Sequence, residues 1–232
     1  EILSFSQMPV NGNILEIGCG TGQASLPFAQ RGYAMLCIDI GEDLLKVARQ
    51  KLLAFPGVAF WHGAFEHWPM QPDTFDLFLS ATAFHWVPRA VGYPRAAAAL
   101  KPGGTLAIFS NEHPRQGRFF EEVQAVYARY GTNKPENASS NQLDLSDKIR
   151  ELAEYIDSTR LFTPVGVRTY PWQKTYTTAE YIALLNTYSD RRSMEPDRRE
   201  GLYTGIAQLI DQRFDGQVTK EYLAVLYLAK KL

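Results

Sequence analysis

The shortages in this sequence are the first guide to it. Two cysteines, Cys19 and Cys37, in 232 residues are too few for a disulfide framework and read as reduced, small apolar fillers in a cytoplasmic protein. No apolar run approaches the roughly 18 residues that a membrane-spanning helix needs, so no membrane partner is expected. Neither sign of charge is in excess: 24 Lys and Arg face 25 Asp and Glu, a net charge of −1. A nucleic-acid binder would carry a basic face, so no nucleic-acid partner is expected either. The start, Glu1-Ile2-Leu3, has neither an initiator Met nor a signal-peptide pattern, and further residues are expected upstream of it. What remains, 45% hydrophobic and 21% charged residues, is ordinary globular composition with length for one sizeable core.

The first half alternates short apolar runs with helical spacing. Strands are expected at Ile14–Ile17, Ala34–Ile40, Val58–Trp61, Phe75–Ala81 and Thr105–Ser110. Helices are expected at Ala24–Gln30, at Asp43–Leu53 (Leu44, Leu45, Ala48 and Leu52 on one face) and at Ala90–Leu100. Pro27 is tolerable only near a first helical turn, where its missing donor has few partners anyway. Apolar strands that do not alternate belong to a parallel sheet covered on both faces. Such sheets bind ligands at the carboxyl ends of their strands, beside the switch point of strand order.

Beyond residue 112 the pattern changes. Residues 115 to 160 are polar and helical with a loose loop over 131–140, Val165–Tyr176 reads as a strand, Ala179–Thr187 and Pro196–Phe214 as helices, and Val218–Lys230 as a last strand. The expectation is one α/β domain with a seven-stranded, mostly parallel sheet and helices on both faces. Residues 1–112 form its ligand-binding core, and 113–232 supply cap helices and the last strands of the same sheet.

The informative stretch is Ile14-Leu15-Glu16-Ile17-Gly18-Cys19-Gly20-Thr21-Gly22-Gln23. A glycine turn after a first strand lets backbone pass close to a ligand, and the following helix points free N–H groups into the turn. Asp39, 21 residues past Gly18 at the end of the second strand, can accept hydrogen bonds from both hydroxyls of a ribose. Any nucleoside-containing cofactor would suit so far. The dinucleotide fingerprint needs glycine at position 23, which is Gln here, and this disfavours an NAD-dependent oxidoreductase.

The spacing G-x-G-x-G preceded by Glu16 resembles motif I of class I S-adenosylmethionine (SAM)-dependent methyltransferases, and four further segments resemble the family in register over about residues 12 to 111. The resemblance implies a Rossmann-like fold and SAM as cofactor, with S-adenosylhomocysteine as product. Its site would comprise Gly18, Cys19, Gly20 and Gly22 in the loop, Asp39 on the ribose and Ile40 on the adenine. Ala64 and Phe65 would follow the third strand and Ser80 would end the fourth. Where the family usually has Gly-Asp-Ala-Glu, this chain has Gly63-Ala64-Phe65-Glu66, so the side-chain contact to the adenine amino group is missing and a backbone contact at Phe65 remains. Ala83-Phe84-His85-Trp86-Val87 resembles small-molecule members such as trans-aconitate methyltransferase and the biotin-pathway carrier-protein methyltransferase. Leu100-Lys101-Pro102-Gly103-Gly104 is similar to the family's turn before the fifth strand. Glu16 is expected to order the loop without touching the cofactor.

Methyl transfer from a sulfonium needs positioning and a dry pocket more than a protein nucleophile. The acceptor is expected to be a small molecule with a carboxylate or hydroxyl. Ser80-Ala81-Thr82-Ala83 lacks the segment of amino-adenine methylases, and no cysteine stands there for cytosine C5 chemistry. His85 is the candidate base, or else a histidine hydrogen-bonded in the loop wall; Phe84 and Trp86 either line the acceptor site or belong to the core. His113 follows the fifth strand and could approach His85, yet with Glu112 the spacing matches no metal-ligand pattern, and no metal is expected. Arg191, Arg192, Arg198 and Arg199 form a solvated face or a carboxylate clamp. Tyr170, Tyr176, Tyr181 and Tyr188 give the cap aromatic bulk. A SAM-binding protein without turnover stays open beside the enzyme.

Overall fold

The computed structural model describes residues 1–114, 117–130, 145–188, 191 and 193–232. The expected loop over 131–140 lies outside them. Seven strands form one sheet in the order β3-β2-β1-β4-β5-β7-β6: β1 (Asn13–Ile17), β2 (Ala34–Asp39), β3 (Val58–His62), β4 (Phe75–Ala81), β5 (Leu100–Glu112), β6 (Gly166–Thr177) and β7 (Gln217–Lys230). The pairs β1/β2, β1/β4, β2/β3 and β4/β5 are parallel, with Ile14 opposite both Met35 and Leu77. An antiparallel bridge, Phe162 to Lys231, marks the reversal at the chain's end. In β1 and β4 nearly every residue is buried, so neither alternates. Both faces of the sheet are covered there, as the unbroken apolar runs require. The strand order turns at β1 and β4, which places the switch point over the glycine loop after β1.

The helices are α1 (Ile2–Ser6), α2 (Ser25–Ala29), α3 (Glu42–Lys51), α4 (Arg89–Ala99), α5 (Arg118–Arg129), α6 (Leu145–Ser158), α7 (Thr178–Leu185) and α8 (Pro196–Arg213). Pro27 is the third residue of the five-residue α2, inside the first turn where its missing donor costs little. One boundary differs from the pattern reading. β5 begins with Leu100 opposite Phe75 and resumes with Thr105 opposite Leu77, so the segment expected to be a turn lies within the strand as a register shift. Lys101 Nζ donates to both carboxylate oxygens of Asp76 at 2.9 Å, which ties that segment to β4.

Two compact units result. The first comprises residues 1–111, 146–170 and 224–232. Its core includes Ile14, Leu45, Leu52, Leu77, Leu79 and Ala107. α6, expected in the cap, packs in this unit: Tyr155 lies against Tyr93 with ring centres 5.4 Å apart, and Arg89 pairs with Glu151 at 3.1 Å. The second comprises residues 112–145 and 171–223, with Val123, Tyr181, Leu185, Leu202, Ile206 and Ile210 at its centre. Here Thr177 caps α7 reciprocally. Its hydroxyl accepts from the Glu180 N–H at 3.3 Å, and its own N–H donates to Glu180 Oε2 at 2.9 Å. Thr177→Ala should therefore lower stability by about 1 kcal/mol; an unchanged urea midpoint would show the cap contributes nothing.

Candidate functional site

The loop after β1 is built from left-handed residues. Gly18, Gly20 and Gly22 have φ of +69°, +54° and +74°, where a side chain strains the backbone. At Gly18 a Cβ would also stand 2.1 Å from the Ala83 Cβ, whereas at Gly20 one would meet nothing within 4 Å. The loop is thus pressed on one side by the β4 loop and open above its centre. Gly18 and Cys19 N–H groups both reach the Ile38 carbonyl, at 2.8 and 3.3 Å, fastening the loop to β2.

Asp39 ends β2 and is buried. Its Oδ2 accepts from the Gly20 N–H at 2.8 Å and its Oδ1 from the Gly41 N–H at 2.7 Å. Each oxygen keeps a second lone-pair direction, so the carboxylate holds the loop and can still accept two hydroxyl donors. Ile40 beside it is 72% exposed, an apolar side chain presented to solvent next to the loop's anchor.

Beneath the loop, Glu16 is wholly buried. Ser25 donates to its Oε2 at 2.5 Å, the Cys37 thiol lies 3.8 Å from the same oxygen, and Oε1 has no partner among the described residues. Burial pushes its carboxyl from 4.5 up to about 7 against the opposing hydrogen bonds from Ser25 and Cys37, and the charge of Asp39 adds to the rise. Cys37 is held protonated by its hydrogen bond to Cys19, by burial and by the charge of Glu16.

After β3, Ala64 precedes a short 3-10 turn over Phe65–His67. The Phe65 side chain is buried against Phe78, ring centres 5.6 Å apart, with Arg95 over its face, which leaves its backbone as the part a ligand could meet. Ser80 is buried and donates to the Ile17 carbonyl at 2.8 Å, so it ties the ends of β4 and β1 together. Thr82, next in the β4 loop, has φ +55°, a rare conformation for a β-branched residue. The second 3-10 turn, Phe84–Trp86, then sends three side chains to different places. Phe84 enters the core between Phe78 and Tyr93, at 5.2 and 5.1 Å. His85 is exposed, makes no hydrogen bond with a described residue, and lies 5.1 Å from the Trp86 ring, which is 75% exposed.

In the second unit His113 lies edge-on to Tyr222 at 5.1 Å, and shielding from water together with the charge of Lys220 lowers it to about 4, so it is neutral at pH 7. Arg191 covers the Tyr127 ring and Arg198 Nε donates to the Tyr130 carbonyl, so both serve the end of α5; Arg192 lies outside the described residues. Tyr176 and Tyr181 are buried, while Tyr170 belongs to the first unit and lines an open apolar groove of about 350 Å³ with Ile2, Phe28, Phe109 and Leu226. Neither the glycine loop nor Asp39 borders that groove. Among the described residues no group of three or more His, Cys, Asp and Glu is placed to hold a metal ion, and no helix is long and apolar enough to cross a membrane.

Four site residues escaped the pattern reading: Ser25, which serves Glu16; Gly41, which serves Asp39; Ala83, which abuts Gly18; and His62, whose Nε2 lies 3.2 Å from the Ile40 carbonyl. Only Gly41, a glycine directly after the expected strand end, carried a signal in sequence.

Residues 14–104 match the family described as "Methyltransferase domain". An uncharacterized methyltransferase of Mycobacterium tuberculosis is 30% identical over 118 residues, 51% of this chain and 47% of that protein. Trans-aconitate 2-methyltransferase of Variovorax paradoxus is 28% identical over 179 residues, 76% of this chain and 65% of that protein. The chain thus spans about half the length of the first of these relatives. Among solved structures, the YcgJ protein of Bacillus subtilis superposes with a TM-score of 0.61 at 17% identity, covering 99% of this chain and 96% of that one. Phosphoethanolamine N-methyltransferase 2 of Haemonchus contortus, solved with S-adenosylhomocysteine, gives 0.56 at 17% identity over 99% of this chain and 51% of that one. These likenesses bear out the Rossmann-like sheet expected from sequence.

The elevated Glu16 sets a pH dependence. The folded state binds the Glu16 proton more tightly than the unfolded chain, so this contribution is full below pH 4.5 and is lost as pH rises through about 7. It amounts to roughly 3 kcal/mol. Glu16→Gln should flatten the decline of stability across that interval; denaturation series with equal slopes for both proteins would contradict it.

Proposed function

We propose that this chain, whose residues 14–104 match the family described as a methyltransferase domain, transfers the methyl group of SAM to a small acceptor that bears a carboxylate or hydroxyl. The observation that carries the reading is Asp39: a buried carboxylate, pinned by the Gly20 and Gly41 N–H groups, with one acceptor direction free on each oxygen beside an open glycine loop. That arrangement fits a ribose, with Ile40 offering its exposed face to the adenine and the Phe65 backbone reaching the base edge, since Ala64 has no polar side chain. When bound, SAM supplies an electrophilic methyl on a sulfonium and leaves as a neutral thioether. The chain's own part is to orient and to exclude water. His85, exposed on the β4 loop and without a hydrogen bond to a described residue, would take a proton from a hydroxyl acceptor, with Trp86 offering apolar surface beside it. The relatives that act on small molecules and the complex of the Haemonchus enzyme support this reading. Two buried free thiols, Cys19 and Cys37, fit a reducing, cytoplasmic setting.

Calorimetry tests the cofactor. SAM should bind and NAD should not, and Asp39→Ala should weaken SAM by about 100-fold, because both ribose bonds and the loop's anchor are lost. Tight NAD binding, or unchanged SAM affinity in the variant, would refute the reading. Turnover tests the acceptor, beginning with a methyl-label screen of small acids. With a hydroxyl acceptor His85→Ala should cost about 100-fold in kcat at unchanged SAM affinity. With a carboxylate, which needs no base, it should cost a few-fold at most and leave a flat pH profile. SAM bound without turnover on any acid would favour a binding protein, and loss of SAM binding in the His85 variant would move that residue into the cofactor site.

A further inference from the structure

In the second unit the ammonium of Lys220 is half-buried and has no carboxylate partner among the described residues. Lys220 sits on β7, and alternation along the ribbon places it on the same face as Tyr222, with Trp172, Lys174 and Tyr176 on the paired stretch of β6. The pairing is fixed by the Thr175–Thr219 hydroxyl bond at 2.8 Å. Trp172 stacks flat on Tyr222 at 4.1 Å and 10°, and the Tyr176 and Tyr222 hydroxyls bond at 2.7 Å. Lys220 Nζ lies 5.2 Å from the Tyr222 ring centre and 5.6 Å from that of Tyr188, and it donates to the Tyr188 hydroxyl at 3.2 Å. No described carboxylate pairs with it. Lys174 differs, since the charge of Glu180 reaches it. Shielding from water alone lowers Lys220 to about 8, so it is still cationic at pH 7. Ring faces offset part of that cost and one phenol uses a single N–H, which leaves the other donors of a half-buried ammonium available to a ligand. On the exposed side His113, neutral at pH 7, adds a ring nitrogen within the reach of Lys220's charge.

We infer that Lys220, set among Tyr188, Tyr222 and His113, binds the carboxylate of a small organic acid, with Trp172, 41% exposed, beside it as apolar surface for the acid's body. A carboxylate supplies the missing charge and accepts the remaining donors at once, and a neutral ligand supplies only one of these. Lysine recognises it as a point charge, so the site accepts acids of varied shape. The binding site stands on these contacts; that its ligand is the methyl acceptor rests on the function proposed above.

The test is a titration with benzoate, followed by the indole N–H resonance of Trp172 (assigned through Trp172→Phe), on the whole chain without SAM. Benzoate should shift that resonance saturably. Benzyl alcohol, with the same ring and no charge, should not. Lys220→Met should weaken benzoate at least about 10-fold, Lys220→Arg should restore most of the affinity, and Lys148→Met, an exposed lysine of α6, should change nothing. If the methionine variant fails to fold, Lys220→Gln takes its place. Undiminished binding in the Lys220 variants, equal binding of benzyl alcohol, or no saturable shift overturns the assignment. SAM added to the same samples separates the two ideas: benzoate binding without SAM binding refutes the methyltransferase reading alone, and the reverse refutes the carboxylate site alone.

Discussion

The candidate site depends on one carboxylate that bonds to backbone on both sides. Asp39 takes the Gly20 N–H with one oxygen and the Gly41 N–H with the other, so the end of β2 fixes both the loop after β1 and the turn into α3. Hydrogen bonds to a charged acceptor are about twice as strong as neutral ones, and these are shielded. The left-handed glycines need such an anchor: they accept their conformation cheaply but specify it poorly, because glycine has more freedom to lose than any other residue. The Ile38 carbonyl adds two further ties from the same strand.

A second acid lies beneath the first with a poorer set of donors. Asp39 receives two backbone N–H donors, whereas Glu16 receives one hydroxyl and one weak thiol and is otherwise surrounded by core. The difference is one of donors, since both side chains are buried. Residues two dozen positions apart in sequence therefore sit in one short stack: Asp39 holding the loop, Glu16 under it, and Ser25 joining Glu16 to the start of α2.

The first five strands and the glycine loop could be read from the sequence because each follows from local rules. Unbroken apolar runs mean strands covered on both faces, and glycines after the first of them mean a backbone-lined turn. Asp39 was legible by its distance from Gly18. Its bonds to Gly20 and Gly41 were not, because nothing in the sequence shows which donors a carboxylate will meet. The fate of Phe84, His85 and Trp86 was equally hidden: three consecutive ring-bearing residues on a 3-10 turn diverge by a third of a revolution each, and only the fold decides which one enters the core. The position of α6 with the first unit rests on Tyr93, Tyr155, Arg89 and Glu151, contacts between segments some sixty residues apart that carry no periodic signature.

The contact between Gly18 and Ala83 has a consequence for how this scaffold can diversify. With no room for a Cβ at Gly18 against that of Ala83, position 18 cannot leave glycine by a single substitution while Ala83 stays where it is. Thr82, already in a costly backbone conformation, narrows the tolerance further. The ring-bearing residues that follow are free of that constraint, with His85 and Trp86 open to solvent. Drift along these segments would thus change positions 85 and 86 readily while position 18 stayed glycine, an evolutionary hinge between a fixed stretch of the loops and an adaptable one.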